Sequence, residues 1–193
     1  MNKNIILAGV GGQGILSIAA IIDWAALKMG LNIKQAEVHG MSQRGGAVQS
    51  HLRISSEEIF SDLIPLKGAD LILSVEPMEA LRYLPFLSDT GRIVTSTDTF
   101  ENIPNYPEFE SIIAEIKKTN RPIFVDSKAI AKEICNNKAV NIIMLGAAVA
   151  YTGIEPSLIE EGIKTLFARK GDEVVNSNIE AFRRGMARGA EQH

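Results

Sequence analysis

The chain has 193 residues, 46% hydrophobic and 22% charged, with a net charge of −3, 16 glycines and a single cysteine, Cys135. This balance excludes wholesale disorder, and it offers no net positive field for nucleic acid or an anionic membrane. One cysteine excludes a disulfide framework and any zinc or iron–sulfur site that this chain would have to build from several thiolates of its own.

Residues 4–10 form a short apolar run of strand type, which Gly11, Gly12 and Gly14 then interrupt. Residues 15–29 follow with Ile15, Ile18, Ile22, Ala25 and Met29 at helical spacing, and Gly30 ends that helix before a second strand over 31–38. The opening is therefore strand, glycine turn, helix, strand. A polar, glycine-rich loop occupies 39–46, and the alternating segment 47–54 reads as a half-exposed strand. Residues 59–64 are expected to pair with it, the two being antiparallel additions to a mostly parallel sheet.

Residues 70–75 have the composition of a buried parallel strand, and Glu76-Pro77 opens a helix behind it. A strand at 92–95, an irregular excursion at 100–109 containing Pro104 and Pro107, a helix at 111–118 and a last parallel strand at 122–126 complete the sheet. Beyond Ser127 only helices are expected, at 128–135, 140–151, 157–168 and 172–188. Their apolar stripes, such as Val175, Ile179, Phe182 and Met186, are read as core. The expectation is one α/β domain over 1–193, Rossmann-like, with a mostly parallel sheet, antiparallel additions and a helical C-terminal region. The first residues lack the pattern of a signal peptide, and the apolar run 142–151 is shorter than the ~20 residues of a membrane span. A cytoplasmic protein with a reduced thiol is expected.

Gly9, Gly11 and Gly14 satisfy the dinucleotide pattern G-x-G-x-x-G between a strand and a helix. Glycines there let a backbone turn tightly against an anion at the amino end of the helix. Glu37, near the end of the second strand, stands about where a ribose-binding acid would be. Taken alone, this suggests an NAD(P)-binding regulatory or redox module. The second loop, with Ser42, Gln43, Arg44, Gly45 and Gly46, points elsewhere. It follows the second strand as the first loop follows the first, so both are placed at the carboxyl edge of the sheet, where ligands bind. The alternative is that Gly45-Gly46 only turns the chain into the next strand.

The stretch Gly9-Val10-Gly11-Gly12-Gln13-Gly14-Ile15, followed by Glu37-Val38-His39-Gly40-Met41-Ser42-Gln43-Arg44-Gly45-Gly46, resembles the gamma domain of the 2-oxoacid:ferredoxin oxidoreductases. Residues Ser50 to Arg53, Gly68 to Asp70, Glu76-Pro77 and Asn141 to Gly146 extend the resemblance over nearly the whole chain. The form of residues 39–44 looks most like the indolepyruvate branch of that family. A gamma subunit for another 2-oxoacid, such as pyruvate or 2-oxoisovalerate, is the alternative within it.

The resemblance implies an oxidoreductase subunit that is incomplete alone. In the family, a 2-oxoacid, coenzyme A and oxidised ferredoxin give an acyl-CoA, carbon dioxide and reduced ferredoxin. Thiamine diphosphate, magnesium and iron–sulfur clusters are then expected on a large catalytic partner subunit, with coenzyme A as cosubstrate and ferredoxin engaged through the complex. No cofactor, metal, nucleic acid or membrane is expected on this chain by itself, and no catalytic residue is assigned. Gly11, Gly12, Gln13, Gly14, Ser42, Gln43 and Arg44 are the candidates to face the cofactor or active site, Arg44 because a guanidinium can grip phosphate or carboxylate bidentately. Glu37, His39, Glu76 and Asn141 are candidates for ordering a loop or an interface. His39 and His51 make a poor metal pair, and hydrogen-bonded or packed histidines are expected instead.

Overall fold

The structure is a computed structural model that describes residues 1–39 and 45–192. Its strands are β1 (Asn2–Val10), β2 (Asn32–His39), β3 (Ala47–Ser55), β4 (Ala69–Ser74), β5 (Leu87–Ser96) and β6 (Ile123–Val125). Its helices are α1 (Ile15–Lys28), α2 (Pro77–Arg82), α3 (Phe109–Ile116), α4 (Ser127–Glu133), α5 (Val140–Thr152), α6 (Pro156–Phe167) and α7 (Asp172–Ala190). The six strands form one sheet in the order β2-β3-β1-β4-β5-β6. Only β3 runs against the others: it is antiparallel to β1 and to β2, while β4, β5 and β6 continue parallel from β1.

Period-two alternation sends the side chains of the central strands to two cores. Ile5, Leu7, Leu71, Leu73 and Val94 join the larger core beneath α1, α5, α6 and α7. Ile6, Ala8, Ile72 and Ile93 join a smaller one with Ala80, Tyr83 and Ile112 from the α2–α3 side. Helix α5 is buried along nearly its whole length, sandwiched between sheet and α7. Glycines make that possible. A Cβ at Gly185 would lie 1.9 Å from the carbonyl oxygen of Ile143, and one at Gly146 would lie 2.1 Å from that of Phe182.

The expected strand at 59–64 does not form. Both edges of β3 are already taken, by β1 and β2, so no ladder is free for a third partner. Instead the segment lies over the sheet: Ile59 and Ile64 are buried, and Arg53 donates to the carbonyl oxygens of Ser61 and Leu63. His51 accepts a hydrogen bond on Nδ1 from the Ile64 amide, at 3.1 Å, and meets Phe86 edge to face. After Val125 the described chain holds only helices and their connections, as expected. Among the described residues no helix is long and apolar enough to cross a membrane.

Candidate functional site

The carboxyl end of β1 turns into α1 through Gly11 to Gly14, and the turn is tied internally. Gln13 N donates to Val10 O at 3.0 Å, and Gln13 Oε1 accepts from Val10 N at 2.7 Å. Gln13 therefore spends its amide oxygen on its own turn and keeps its Nε2 group for other partners. Gly12 and Gly14 have φ of +101° and +79°, the left-handed region that a side chain strains. A Cβ at Gly9 would come within 2.9 Å of Gln13 Oε1 and of the Ile15 side chain, so the first glycine of the motif makes room for the other two features.

Asn141, near the start of α5, donates from Nδ2 to Gly14 O at 3.1 Å and is itself buried. Asn141, a candidate for ordering a loop or an interface, thereby ties the amino end of α1 to the central helix. No acidic side chain occupies the first turn of α1, so its positive dipole end is uncompensated within the helix. An open cleft of about 580 Å³ borders this turn, lined by Gly12, Gln13, Gly14, Ser17, Asn141, Lys138, Lys170, Glu173, Ser177 and Asn178 among others. Backbone amide groups, a helix amino end and two lysines against one glutamate suit an anionic group. Lys138, Lys170 and the α7 side chains carried no sequence motif; the α4–α5 connection brings in Lys138, and the start of α7 with the residues just before it brings in the rest.

The second glycine loop meets the first through the backbone. Gly11 N donates to Gly46 O at 2.8 Å, and Gly45 N donates to Gly11 O at 3.4 Å. Gly45 and Gly46 thus lie beside the first turn at the same edge of the sheet, and not in the lining of the cleft. Ser42, Gln43 and Arg44 lie outside the described residues, as does the His39 side chain. Glu37 is on β2, exposed, and accepts from Gln35 Nε2 at 2.7 Å. Because β3 is inserted between β1 and β2, Glu37 is two strand spacings from β1, about 10 Å, where a dinucleotide fold has its acid on the adjacent strand.

Glu76 faces neither cleft nor solvent. It is fully buried and caps α2, its Oε2 accepting from Glu79 N at 2.8 Å. Its Oε1 accepts from Phe100 N at 3.3 Å and from the Tyr106 hydroxyl. Burial, reinforced by that bond to Glu76, pushes the Tyr106 phenol above its ordinary value, which keeps it a donor. Glu79, also buried, pairs with Arg82 at 3.1 Å. Beside them, Asp98 Oδ2 accepts from Ser96 Oγ, Ser127 Oγ and Lys128 N, which anchors the start of the 97–108 segment to α4.

An open α/β sheet whose first strand turns through glycines into α1, with Gly45 and Gly46 bonded to that turn, defines a class, and comparison identifies the family. The model of the pyruvate ferredoxin/flavodoxin oxidoreductase family matches residues 4–188, and the chain belongs to that family. It is 38% identical to the indolepyruvate oxidoreductase subunit IorB of Archaeoglobus fulgidus, over 96% of this chain and 94% of the relative. It is 34% identical to the subunit of the same name from Methanothermobacter thermautotrophicus, over 99% of this chain and all of that one (100%). The 2-oxoglutarate synthase subunit KorC of A. fulgidus matches 96% of the chain and 87% of its own length at 26% identity. Among solved structures, the pyruvate oxidoreductase subunit PORC of Thermotoga maritima superposes with a TM-score of 0.73 at 25% identity, covering 96% of each chain.

Proposed function

We propose that this chain is the small subunit of a heteromeric indolepyruvate:ferredoxin oxidoreductase. It supports the oxidative, coenzyme A-dependent decarboxylation of an aryl 2-oxoacid to an aryl-acetyl-CoA. The observation that carries this proposal is the graded likeness: over nearly the full length, identity is 38% with an indolepyruvate oxidoreductase subunit and 26% with a 2-oxoglutarate synthase subunit of the same organism.

Thiamine diphosphate with magnesium and the iron–sulfur clusters belong, in this proposal, to the large subunit, where they supply decarboxylation and electron transfer. A single cysteine, Cys135, cannot ligate an iron–sulfur cluster by itself, and among the described residues no group of three or more His, Cys, Asp or Glu could hold a metal ion. What this chain supplies is binding. The amide groups of Gly12 and Gly14, the amino end of α1, Lys138 and Lys170 receive the phosphates of coenzyme A at the cleft. Gln13 holds the turn in shape through Val10 N. Ser42, Gln43 and Arg44, on the adjoining loop, are assigned to the face toward the partner's active site, with Arg44 gripping a carboxylate or phosphate. Glu37 and His39 are assigned to ordering that loop or its interface.

The distance of Glu37 from β1 disfavours the dinucleotide alternative, since an acid so far from the turn is poorly placed for a ribose. Reconstitution tests the proposal. The chain alone is inactive, and together with the large subunit it gives indolepyruvate- and coenzyme A-dependent ferredoxin reduction. Tight NAD(P)H binding by the isolated chain in calorimetry, with no affinity for the large subunit, would refute it.

A further inference from the structure

Between the second glycine loop and the interior runs a continuous set of hydrogen bonds that the reaction does not explain. It begins at Glu76, a fully buried carboxylate. Burying such a group is costly, and its hydrogen bonds come from the amides of Glu79 and Phe100 and the hydroxyl of Tyr106, while the guanidinium of Arg82 acts on it through space and makes no hydrogen bond to it. Two of those three donors belong to the irregular 97–108 segment, which has no helix or strand of its own to hold it. The same segment carries Asn102, whose Nδ2 donates to Gly45 O at 2.6 Å. Asn102 Oδ1 is buried with no hydrogen-bond partner among the described residues, so the donation to Gly45 is what fixes this amide. Gly45 and Gly46 then bond Gly11 on both its amide and its carbonyl.

We infer that Asn102 is a positioning residue and Glu76 its buried anchor: through Phe100 and Tyr106 the anchor holds the 97–108 segment, and through Asn102 that segment sets Gly45 and Gly46 against the glycine turn that receives the substrate. The geometry favours this over a purely internal role for Glu76. Capping α2 requires only the bond from Glu79, and that is made by the other oxygen, Oε2. Oε1 is given over to the segment. The mechanical part stands on the hydrogen bonds alone; its consequence for coenzyme A rests on the function proposed above.

Three single variants test it in the full chain: Tyr106→Phe, which cuts the anchor, Asn102→Ala, and Asn102→Asp, which keeps the shape but removes the donor. Amide hydrogen exchange is measured at Gly11 and Gly45, with Ile5 and Leu52 in the sheet as the fold control. Exchange at Gly11 and Gly45 is expected to accelerate at least tenfold in all three, with the sheet amides unchanged. In the reconstituted oxidoreductase, KM for coenzyme A is expected to rise several-fold with kcat held within twofold, a split that general loosening of the fold would not give. Unchanged exchange in Tyr106→Phe, or an Asn102→Asp protein that behaves as wild type, overturns the inference. Faster exchange with an unchanged KM supports the tether and contradicts instead the placing of coenzyme A at the turn.

Discussion

Asn141 Nδ2 donates to the carbonyl oxygen of Gly14 across 127 positions of sequence, so the glycine turn is held from the central helix as well as from its own strand. This bond makes the glycines of the turn unequal. A Cβ at Gly14 would lie 2.6 Å from Asn141 Nδ2, whereas one at Gly12 would meet nothing within 4 Å. Both positions have positive φ, so alanine at Gly12 is expected to cost about 1 kcal/mol, for backbone strain alone. Gly14→Ala adds the clash and is expected to cost about 2–3 kcal/mol. Urea unfolding of the two variants reads the difference directly, and equal losses would mean that Asn141 yields freely.

The buried contact of α5 with α7 sets a second expectation. Alanine at Gly185 would drive a methyl group into the Ile143 carbonyl, which belongs to a helix backbone and cannot rotate away. The two helices must part, at a cost of about 3 kcal/mol. Thermal unfolding of Gly185→Ala should show a fall of several degrees or more. Alanine at Gly171, which has nothing within 4 Å, should stay within reach of its backbone strain.

A pH-dependent expectation attaches to Asp23 on α1. Burial, reinforced by the charge of Glu37, pushes its carboxyl up to about 6 from an ordinary value of 3.8, and Oδ1 has no hydrogen-bond partner among the described residues. A raised carboxyl favours the folded state fully below the unfolded value, and that contribution is lost as pH rises through the folded one. The full shift corresponds to about 3 kcal/mol, which solvent screening at a partly exposed group reduces to about 1–2 kcal/mol. Asp23→Asn should therefore stabilise the chain by about that amount at pH 7.5 and make little difference at pH 4. Parallel denaturant titrations at the two pH values decide it, and a gain of equal size at both would point to packing instead of charge.

His51 titrates in the opposite sense. Burial holds its imidazole below the ordinary value, against a smaller upward pull from Asp62, and Nδ1 must stay unprotonated to accept from Ile64. The stability tied to the neutral ring is present above the unfolded value near 6.5 and is lost as pH falls below it. A His51→Gln chain should show a shallower loss of stability between pH 7 and pH 5 than wild type, measured by thermal unfolding across that range.

The elements with strong periodicity could be read from the residues. The run 4–10, the glycine turn and the stripe from Ile15 to Ala25 declare β1 and α1, and the late helices fall within a few residues of their expected bounds. Neighbour relations could not be read in the same way. Alternation in Ala47–Ser55 says which face each side chain takes, but nothing about which strands flank it, and β3 slips between β1 and β2. That one placement both removed the partner expected for 59–64 and carried Glu37 away from the turn. Asn102 and Tyr106 were invisible for another reason: a polar side chain in an irregular segment has no period, and its value lies wholly in a long-range bond. Glu76 had a local signal as a helix cap and as a loop-ordering acid, but nothing in the sequence named Phe100 and Tyr106 as the donors to its other oxygen.

The most direct measurement of the central claim is ferredoxin reduction by this chain assembled with its large subunit, with indolepyruvate, 2-oxoglutarate and pyruvate compared as substrates under saturating coenzyme A. The account predicts that kcat/KM for indolepyruvate exceeds that of either competitor by at least tenfold and that no activity remains when this chain is left out. A preference for pyruvate or 2-oxoglutarate, or full activity of the large subunit alone, would contradict it.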